Sequence, residues 1–395
     1  MAPQSSSSPR RHAYVTLITR ASYLAGVVLL ADTLRRHGSQ CPLIVLYTPK
    51  LSASAVRALE LEAPRQNMIL RRCEYLLPPG DAQVTLIAQR FEDTWTKLRV
   101  FELCGLGYDA VCYLDADMAV FRNMDAVFHK VDRELPEGWL GANHCCVCNR
   151  DGDPWAPSDW RQENCAYTPV SHPGGLTNPT QPPIGACDGA IATLEAGPSR
   201  THRLLNGGMF VFRPTQELRD SLLSFFSHPD NVPLLSTFKF PDQDFLAHFF
   251  RGRWRALGWQ FNALKTMRYW HAGLWRDDEV VCLHYIVDKP WTRRVGGDGV
   301  AGYKGRDGAT HQWWWDAYER WEGERLGGNS KAAGSTDSSA AEEVVRLVRR
   351  GVAPPLGASD GWCDGVDPDM QAIGASVQGF ANNQASPPSV VKTKA

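Results

Sequence analysis

Two carboxylates separated by one residue follow a short apolar run in the first third of the chain. Asp115 and Asp117 come directly after the sequence AVCYL at 110–114. Such a run predicts a buried central strand, and open α/β sheets bind ligands outside the carboxyl ends of their strands. The pair can hold one hard cation and leave positions for a diphosphate. A surface turn is the alternative, because Asp is common in turns.

The elements around this pair alternate in type. Ser52 stands where a helix needs an N-cap, and Gly107 stands where a later helix ends. The predicted strands are 14–18, 42–47, 68–70 and 110–114, and the predicted helices are 24–34, 53–61 and 95–106. This alternation predicts an α/β fold with a mixed, mostly parallel sheet and flanking helices.

The rest of the chain divides into a continuation of this domain, an insertion and a tail. Further strands are predicted at 206–213 and 280–286, with helices at 217–226 and 242–250 between them. A stretch rich in Pro, Gly, Cys and Trp interrupts the pattern at 141–202. We therefore predict a disordered leader (1–12), one domain (13–326) that contains the insertion, and a mostly disordered tail (327–395) with an amphipathic run at 341–350.

The composition excludes several classes of protein. Of 395 residues, 43% are hydrophobic and the formal net charge is −1, so there is ample core but no broad basic surface for nucleic acid. No apolar run reaches the length of a membrane-spanning helix, and the leader lacks the apolar segment of a signal peptide. A cytoplasmic protein without an integral membrane segment is expected. Four of the eleven cysteines lie in apolar runs and are expected to be reduced core residues: Cys41, Cys104, Cys112 and Cys282.

Five sequence blocks occur in a fixed order along the chain. They are WTKLRVFEL at 95–103, CYLDADMAVFRNMDAVF at 112–128, LLNGGMFVFRP at 204–214, FPDQDFL at 240–246 and LHYIVDKPW at 283–291. The series resembles glycosyltransferase family 8, the group that contains glycogenin and the galactinol synthases. The resemblance covers roughly residues 13–320. It implies a GT-A fold, a UDP-sugar donor, Mn²⁺ as the divalent cation and retention of the anomeric configuration.

The resemblance also implies a set of donor-binding residues. Asp115 and Asp117 match the metal-binding acids, and His284 matches the third protein ligand, although a histidine beside a strand is otherwise more often a core residue. Lys289 matches a lysine that contacts the donor phosphates, and Lys97 matches a lysine near the donor; a surface lysine is the alternative for both. As a compact cation, Lys289 would stabilise the UDP leaving group.

Two further groups of residues follow from the same resemblance. The segment TLITRASY resembles the nucleoside-binding turn of the family, which implies roles for Leu17, Thr19 and Tyr23, with Tyr23 stacked on the uracil. In the later blocks, three residues match positions near the transferred sugar and the acceptor: Asn206, Asp242 and Gln243. A carboxylate there can act as a nucleophile or stabilise an oxocarbenium-like transition state, and the sequence favours neither. Asp242 could instead cap the helix that begins there.

Two features depart from the common pattern of the family or extend it. Val287 stands where many members have Gly, which puts the close approach of the backbone to the phosphates in doubt. The insertion resembles the cysteine-bearing insertion of galactinol synthases. Its candidate metal ligands are His144, Cys145, Cys146, Cys148, Cys165 and Cys187. A zinc site, a disulfide and plain packing are all open for these residues, and no catalytic role is predicted.

The sequence leaves three hypotheses for function. The first is transfer of a hexose from a UDP-sugar to a small hydroxylated or glycan acceptor, as in the galactinol synthase branch. The second is a self-glucosylating primer like glycogenin, because Tyr269 lies seven residues after Asn262, the spacing of the glycogenin acceptor tyrosine. The third is a sugar-binding protein that has lost activity. Homodimer formation is left open.

Overall fold

The computed structural model describes residues 10–80, 92–154, 156–172, 174, 200–327 and 335–358. The strands are β1 His12–Ile18, β2 Leu43–Tyr47, β3 Met68–Arg72, β4 Ala110–Leu114, β5 Met118–Val120, β6 Leu140–His144, β7 Leu205–Phe212, β8 Trp254–Ala256, β9 Ala263–Leu264 and β10 Cys282–His284. Seven of them form one sheet in the order β3-β2-β1-β4-β7-β6-β8, and the others form a small sheet in the order β5-β10-β9. β4 therefore lies at the centre of the large sheet.

The helices surround this sheet. The α-helices are α1 Leu24–Arg36, α2 Ala53–Glu62, α3 Glu92–Thr96, α4 Ala126–Glu134, α5 Gln216–Ser227, α6 Val232–Leu235, α7 Pro241–Phe249, α8 Met267–Trp270, α9 Gly308–Gly327 and α10 Ser335–Arg349. The 3₁₀ helices are Ala21–Tyr23, Lys97–Leu106, Gln162–Asn164, Arg200–Arg203, Pro229–Asn231, Trp259–Asn262, Asp277–Glu279, Pro290–Thr292 and Tyr303–Gly305. In the described part of the chain, no helix is both long enough and apolar enough to cross a bilayer.

The predicted fold class is confirmed. β1 pairs in parallel with β2 and β4, β2 with β3, and β6 with β8, whereas β7 runs antiparallel to both β4 and β6. Successive residues of a strand point to opposite faces, so the apolar central strands supply two cores. Tyr14 and Cys112 pack into a core with α1, α2 and α9, and Val15 and Tyr113 pack into a second core with α5 and α7.

Local sequence signals explain some element boundaries. The Ser52 hydroxyl accepts a hydrogen bond from the backbone N–H of Ala55 at 3.3 Å, which confirms the predicted N-cap. The helical segment at 95–106 is not one α-helix, because α3 ends at Thr96 and a 3₁₀ helix continues to Leu106. Gly107 follows it with φ 70°, a left-handed conformation that glycine adopts without strain. The last strand is shorter than predicted and spans only Cys282–His284.

The structure differs from the predicted boundaries at both ends of the domain. His12, assigned to the leader, begins β1, and residues 1–9 lie outside the described part of the chain. Residues 335–358, assigned to a disordered tail, contain α10, which packs against α2 and α9. Its Val344 and Val348 are fully buried, because the amphipathic run covers the apolar side of α2. Residues 359–395 lie outside the described part.

Candidate active site

The two carboxylates lie at the carboxyl end of β4, where the sequence predicted a ligand site. The backbone turns sharply after the strand, and the N–H of Met118 donates to the carbonyl of Asp115 at 3.2 Å. Helix α1 packs directly against this turn. A Cβ added to Gly26 in α1 would lie 2.2 Å from the carbonyl oxygen of Ala116, so only glycine fits there. The Asp115–Asp117 turn is therefore held between the sheet and α1.

His284 reaches this turn through the small sheet. β10 pairs antiparallel with β5, and the pairing sets His284 opposite Met118, the residue after Asp117. Beyond the strand, the N–H of Tyr285 donates to the carbonyl of Asp117 at 2.9 Å. The imidazole lies against Gly208 of β7, where an added Cβ would lie 2.2 Å from its Cε1 atom. The main-chain pairing of β10 and the absence of a side chain at Gly208 thus fix the position of the His284 ring.

Each carboxylate has one oxygen on a lysine and one facing the imidazole. His284 Nε2 lies 3.4 Å from Asp117 Oδ1 and 3.9 Å from Asp115 Oδ2. The other oxygen of Asp115 lies 3.0 Å from Lys97 Nζ, and that of Asp117 contacts Lys289 Nζ. The three groups can present one ligand atom each within 4.8 Å of one another. One oxygen of each carboxylate is thus directed toward a common point.

A chain of hydrogen-bonded amide groups determines which nitrogen of the His284 imidazole carries the hydrogen. The amide nitrogen of Asn262 donates to Asn206 Oδ1 at 2.8 Å, which leaves the Asn262 carbonyl oxygen 2.9 Å from His284 Nδ1. Nδ1 therefore carries the hydrogen, and the Nε2 lone pair faces two carboxylate oxygens. Such an arrangement is repulsive unless a proton or a cation lies between them. The donor set fits a divalent cation, since two carboxylate oxygens and one imidazole leave positions for phosphate oxygens.

Lys97 lies inside the site rather than on a helix surface. It is 8% exposed and lies at the start of the 3₁₀ helix. Its Nζ contacts Asp242 as well as Asp115, and it donates to the carbonyl of Gly207 at 3.0 Å. Burial lowers the pKa of Lys97, but the two carboxylates outweigh burial and raise that pKa above its usual value. Lys97 is therefore a fixed cation between Asp115 and Asp242.

Lys289 and Asp117 form a second buried pair. Both side chains are almost fully enclosed, and Lys289 Nζ also donates to the carbonyl of Tyr285 at 2.9 Å. Burial opposes charge on both groups, yet Lys289 and His284 hold the pKa of Asp117 well below its usual range. Asp117 in turn raises the pKa of Lys289 to about 12. Asp115 differs, because burial raises its pKa despite the charge of Lys97.

Asp242 is not a helix cap. Its carboxylate contacts Lys97, whereas Asp244 accepts from the backbone N–H groups of Lys239 at 2.8 Å and Phe240 at 3.0 Å at the start of α7. The capping interpretation is therefore wrong for Asp242, and Asp244 is the acid that binds the backbone N–H groups just before α7. The side chain of Asp242 lies with Lys97 and Asp115.

Asn206 and Gln243 meet beside this group. Gln243 Oε1 accepts from the backbone N–H of Gly207 at 3.2 Å and from Asn206 Nδ2 at 3.4 Å. Asn206 Oδ1 accepts from the backbone N–H of Gly208 at 3.0 Å. These contacts continue the amide chain that orients His284. The residues assigned to the metal and to the transferred sugar therefore belong to one hydrogen-bonded group.

The three residues of the predicted nucleoside turn lie at the end of β1 and just after it. Leu17 is in the strand, Thr19 follows it, and Tyr23 ends the 3₁₀ turn before α1. The Tyr23 ring meets Trp291 edge-on at 5.8 Å, and Trp291 Nε1 donates to the carbonyl of Ser22 at 2.9 Å. Burial raises the pKa of Tyr23. The charge of Lys289 lowers this pKa, and the charges of Asp117 and Asp115 raise it. The turn thus lies beside the carboxylates.

Two polar residues of the site were missed by sequence reasoning. Asn262 orients His284 from a 3₁₀ helix, and the Tyr113 hydroxyl donates to Asp115 Oδ1 at 2.7 Å. Tyr113 lies within the apolar run that marked the strand, so only its position two residues before Asp115 could have indicated a contact across the pleat. Asn262 lies in the stretch WQFNALKT, which carries no local signal for such a role.

Comparison with known proteins finds galactinol synthases among the sequence relatives of this chain. No family model matches the chain. Galactinol synthase 7 of Arabidopsis thaliana is 28% identical over 73% of this chain and 76% of its own length. Galactinol synthase 4 of the same plant is 28% identical over 79% and 82%, and galactinol synthase 2 of Solanum lycopersicum is 28% identical over 71% and 72%.

Glycosyltransferases of known structure are less similar in sequence to this chain. The galactosyltransferase LgtC is 15% identical with a TM-score of 0.46 over 79% of this chain and 99% of its own. The bifunctional glycosyltransferase WbbM is 16% identical with a TM-score of 0.48, and this chain covers 52% of its length. Over about three quarters of its length, the chain is thus similar in sequence to galactinol synthases.

Proposed function

We propose that the chain is a hexosyltransferase that moves a hexose from a UDP-sugar to a hydroxyl acceptor with retention of configuration. The observation that carries the proposal is the division of each carboxylate between a lysine and the point that His284 faces. An ordinary structural ion pair would leave no pair of carboxylate oxygens directed at an imidazole lone pair. A cation-dependent diphosphate site needs that arrangement.

The residues divide the work along the donor. Bound between Asp115, Asp117 and His284, a divalent cation such as Mn²⁺ would neutralise the charge of the diphosphate. Lys289 holds Asp117 in place and supplies a fixed positive charge for the UDP leaving group. Tyr23 and Trp291 provide aromatic surface at the nucleoside end. Thr19 and Leu17 lie at the same end.

At the sugar end, Asp242 is the candidate catalytic residue. Its carboxylate is fixed by Lys97, which favours a role in stabilising positive charge on the sugar in the transition state. A carboxylate in an ion pair is a weaker nucleophile, since the lysine stabilises its negative charge before attack. Asn206 and Gln243 present amide groups beside it that suit the hydroxyls of the sugar or the acceptor.

The structure does not favour the primer hypothesis. The hydroxyl of Tyr269 is buried and has no hydrogen-bond partner among the described residues, and the Arg306 guanidinium lies 5.1 Å from the centre of its ring. Burial also raises the pKa of Tyr269, so its hydroxyl is a poor nucleophile. The hydroxyl of a self-glucosylated tyrosine must reach a donor, and the hydroxyl of Tyr269 is buried.

A release assay tests the proposal. Purified protein is incubated with a panel of UDP-hexoses and with polyol or glycan acceptors, with and without Mn²⁺, and free UDP and product are measured. We expect acceptor-dependent UDP release that requires the cation. His284→Gln and Asp117→Asn should each lower the rate by about 100-fold or more, because each removes one ligand of the cation.

The control separates loss of the site from loss of fold. Asp230→Asn changes a carboxylate whose side chain is 88% exposed, and it should keep the parental rate. Circular dichroism and thermal unfolding show whether each variant is folded. Absence of UDP release with every donor would overturn the transferase assignment and support a sugar-binding protein. A mass gain of the protein itself, lost in Tyr269→Phe, would support the primer instead.

A further inference from the structure

Three cysteines and a histidine from distant parts of the chain meet outside the active site. Cys146 and Cys148 follow β6, Cys165 follows a 3₁₀ helix in the insertion, and His271 follows α8. All four are buried. Each can present a ligand atom within 4.8 Å of the others. Residues about 100 positions apart thus direct sulfur and nitrogen atoms at one point.

The three sulfur atoms surround one nitrogen atom. His271 Nε2 lies 3.1 Å from the Sγ of Cys148, 3.3 Å from that of Cys146 and 3.5 Å from that of Cys165. An imidazole nitrogen has either one lone pair or one hydrogen, so it can form one good hydrogen bond and not three. Hydrogen bonding alone therefore leaves two of these close contacts without an explanation.

A tetrahedral metal ion accounts for all of the distances. With Zn–S bonds of about 2.3 Å and a Zn–N bond of about 2.05 Å, tetrahedral angles place sulfur and nitrogen about 3.6 Å apart and two sulfurs about 3.8 Å apart. The observed S···N distances of 3.1–3.5 Å and the 4.0 Å between the Sγ atoms of Cys146 and Cys165 lie near these values.

The alternatives fit less well. A disulfide needs an S–S distance of about 2.05 Å, and the 4.0 Å between Cys146 and Cys165 is about twice that. These cysteines are free thiols in the described structure. Plain packing of apolar thiols would not direct three of them at a ring nitrogen. Cys187, the remaining cysteine of the insertion, lies outside the described residues.

The cluster is not the one that sequence spacing indicated. His144 packs its ring against Trp254 and Tyr167, and its Nδ1 has no hydrogen-bond partner among the described residues. Cys145 points toward α7, where Gln243 Nε2 lies 3.7 Å from its sulfur. The histidine of the cluster is instead His271, more than 100 residues along the chain, which no local spacing could reveal.

We propose that Cys146, Cys148, Cys165 and His271 bind one structural zinc ion. Three thiolates and one imidazole select zinc among the common divalent ions, and four protein ligands leave no open position for substrate. The ion would fasten the insertion to the segment after α8. Because Cys145 contacts Gln243 next to this cluster, the ion also supports the sugar end of the active site from behind.

The metal content of the full-length protein tests the proposal. Protein purified under reducing conditions without a metal-affinity column should contain about one zinc ion per chain by elemental analysis. Replacing the ion with Co²⁺ should produce intense thiolate-to-metal charge-transfer bands and the visible bands of a tetrahedral site. Cys148→Ser and His271→Ala should each lower zinc content at least about fivefold after dialysis, because each removes one of four ligands.

Cys145→Ser is the matched control. It removes a buried thiol from the same segment but outside the cluster, so zinc content and the cobalt spectrum should be unchanged. His271→Cys supplies a fourth thiolate and should keep the metal. Folded wild-type protein without zinc, before and after incubation with it, would overturn the proposal. So would equal loss of zinc in the control, or a 2 Da mass deficit locating a disulfide at Cys146 and Cys165.

Discussion

Val287 has a left-handed backbone with φ 64°, in the loop that carries Lys289. The sequence raised the question whether valine in place of glycine alters this loop. In the structure the backbone of Val287 is left-handed, a conformation in which a β-branched side chain is strained. The loop is closed by the bond from Lys289 Nζ to the carbonyl of Tyr285, which holds the strained residue in place.

Replacing Val287 with glycine should therefore stabilise the protein. The left-handed conformation costs an L-residue about 1–2 kcal/mol, part of which glycine loses again through its greater freedom when unfolded. We expect Val287→Gly to raise the free energy of unfolding by about 1 kcal/mol in urea titration. Ile286→Gly, next to it with an ordinary φ, should lower it. A fall in both variants would contradict the strain.

Gly208 should be irreplaceable for activity because of its contact with His284. A Cβ at this position would lie within 3.0 Å of three ring atoms, so the imidazole must move. Gly208→Ala should lower UDP release by about 100-fold and raise the Mn²⁺ concentration needed for half-maximal rate. Gly105→Ala, which adds a methyl group to open space, should leave both unchanged. A parental rate in Gly208→Ala would sink the metal role of His284.

At this scale, the sequence predicts charged ligands better than the groups that orient them. Asp115, Asp117 and Lys289 carry local signals, because they adjoin a strand end or a characteristic block. Asn262 has none, since its partner His284 lies 22 residues away and their contact depends on tertiary packing. The capping role that was the alternative for Asp242 belongs to Asp244, because two acids in one helical turn compete for it.

The start of α9 contacts the loop that carries Lys289 through a buried charged group. Lys265 after β9 lies 2.8 Å from Asp307, and its Nζ also lies 3.1 Å from His311 Nε2 and 2.9 Å from the carbonyl of Asp288. Both members of the ion pair are fully enclosed. Burial, Lys265 and Lys289 together lower the pKa of His311 to about 2. His311 is therefore a neutral acceptor for Lys265.

Acid should destabilise the protein through this histidine. The unfolded chain binds a proton at His311 below pH ~6.5 and the folded chain does not, so stability is present above that pH and falls as pH decreases toward 2. Between pH 7 and 5 the loss is up to about 2 kcal/mol. His311→Gln, measured by urea unfolding, should lose less than wild type over this range. Equal losses in the two proteins would contradict the shift.

Helices and strands with strong periodicity are predicted well, and contacts between small elements are not. The central strand β4 and helices α1 and α2 follow from apolar spacing. The short β5 and β10 strands carry too few residues for a pattern, yet their pairing brings His284 to Asp117. The change from α3 to a 3₁₀ helix at Lys97 was likewise not predicted, and Lys97 at this point pairs with Asp115 and Asp242.

At the scale of the whole molecule, α10 completes the core. It packs against α2 and α9, and beyond it the N–H of Ala353 donates to the carbonyl of Trp291 at 2.8 Å. Trp291 packs against Tyr23, the residue that we propose to bind the nucleoside. The C-terminal helix is thus connected to the active site by one residue, although the composition around it predicted a disordered tail.

A charge placed on the buried face of α10 should destabilise the fold. Val348 is fully enclosed, so Val348→Asp must bury a carboxylate or expose the core, at a cost of about 3 kcal/mol or more. Thermal unfolding should show a clearly lower midpoint. Glu342→Gln changes an exposed residue of the same helix and should have little effect. An unchanged midpoint for Val348→Asp would mean that the helix is dispensable.

The packing of α10 was not predicted because composition and periodicity disagree in this part of the tail. Gly, Ser and Ala dominate the flanking sequence, whereas the apolar residues at 341–350 repeat at helical spacing. Whether such a run folds depends on an apolar surface elsewhere that needs covering, here on α2, and the run itself carries no information about that surface.

The single ammonium group of Lys97 touches one carboxylate from each end of the donor site. Substitutions at Asp115 and Asp242 are therefore thermodynamically coupled, because loss of either acid changes the charge balance felt by the other. Cation binding near Asp115 draws on the same lysine that fixes Asp242. Binding of the metal and binding of the sugar would then be coupled through one side chain. The affinity for one would depend on occupancy by the other.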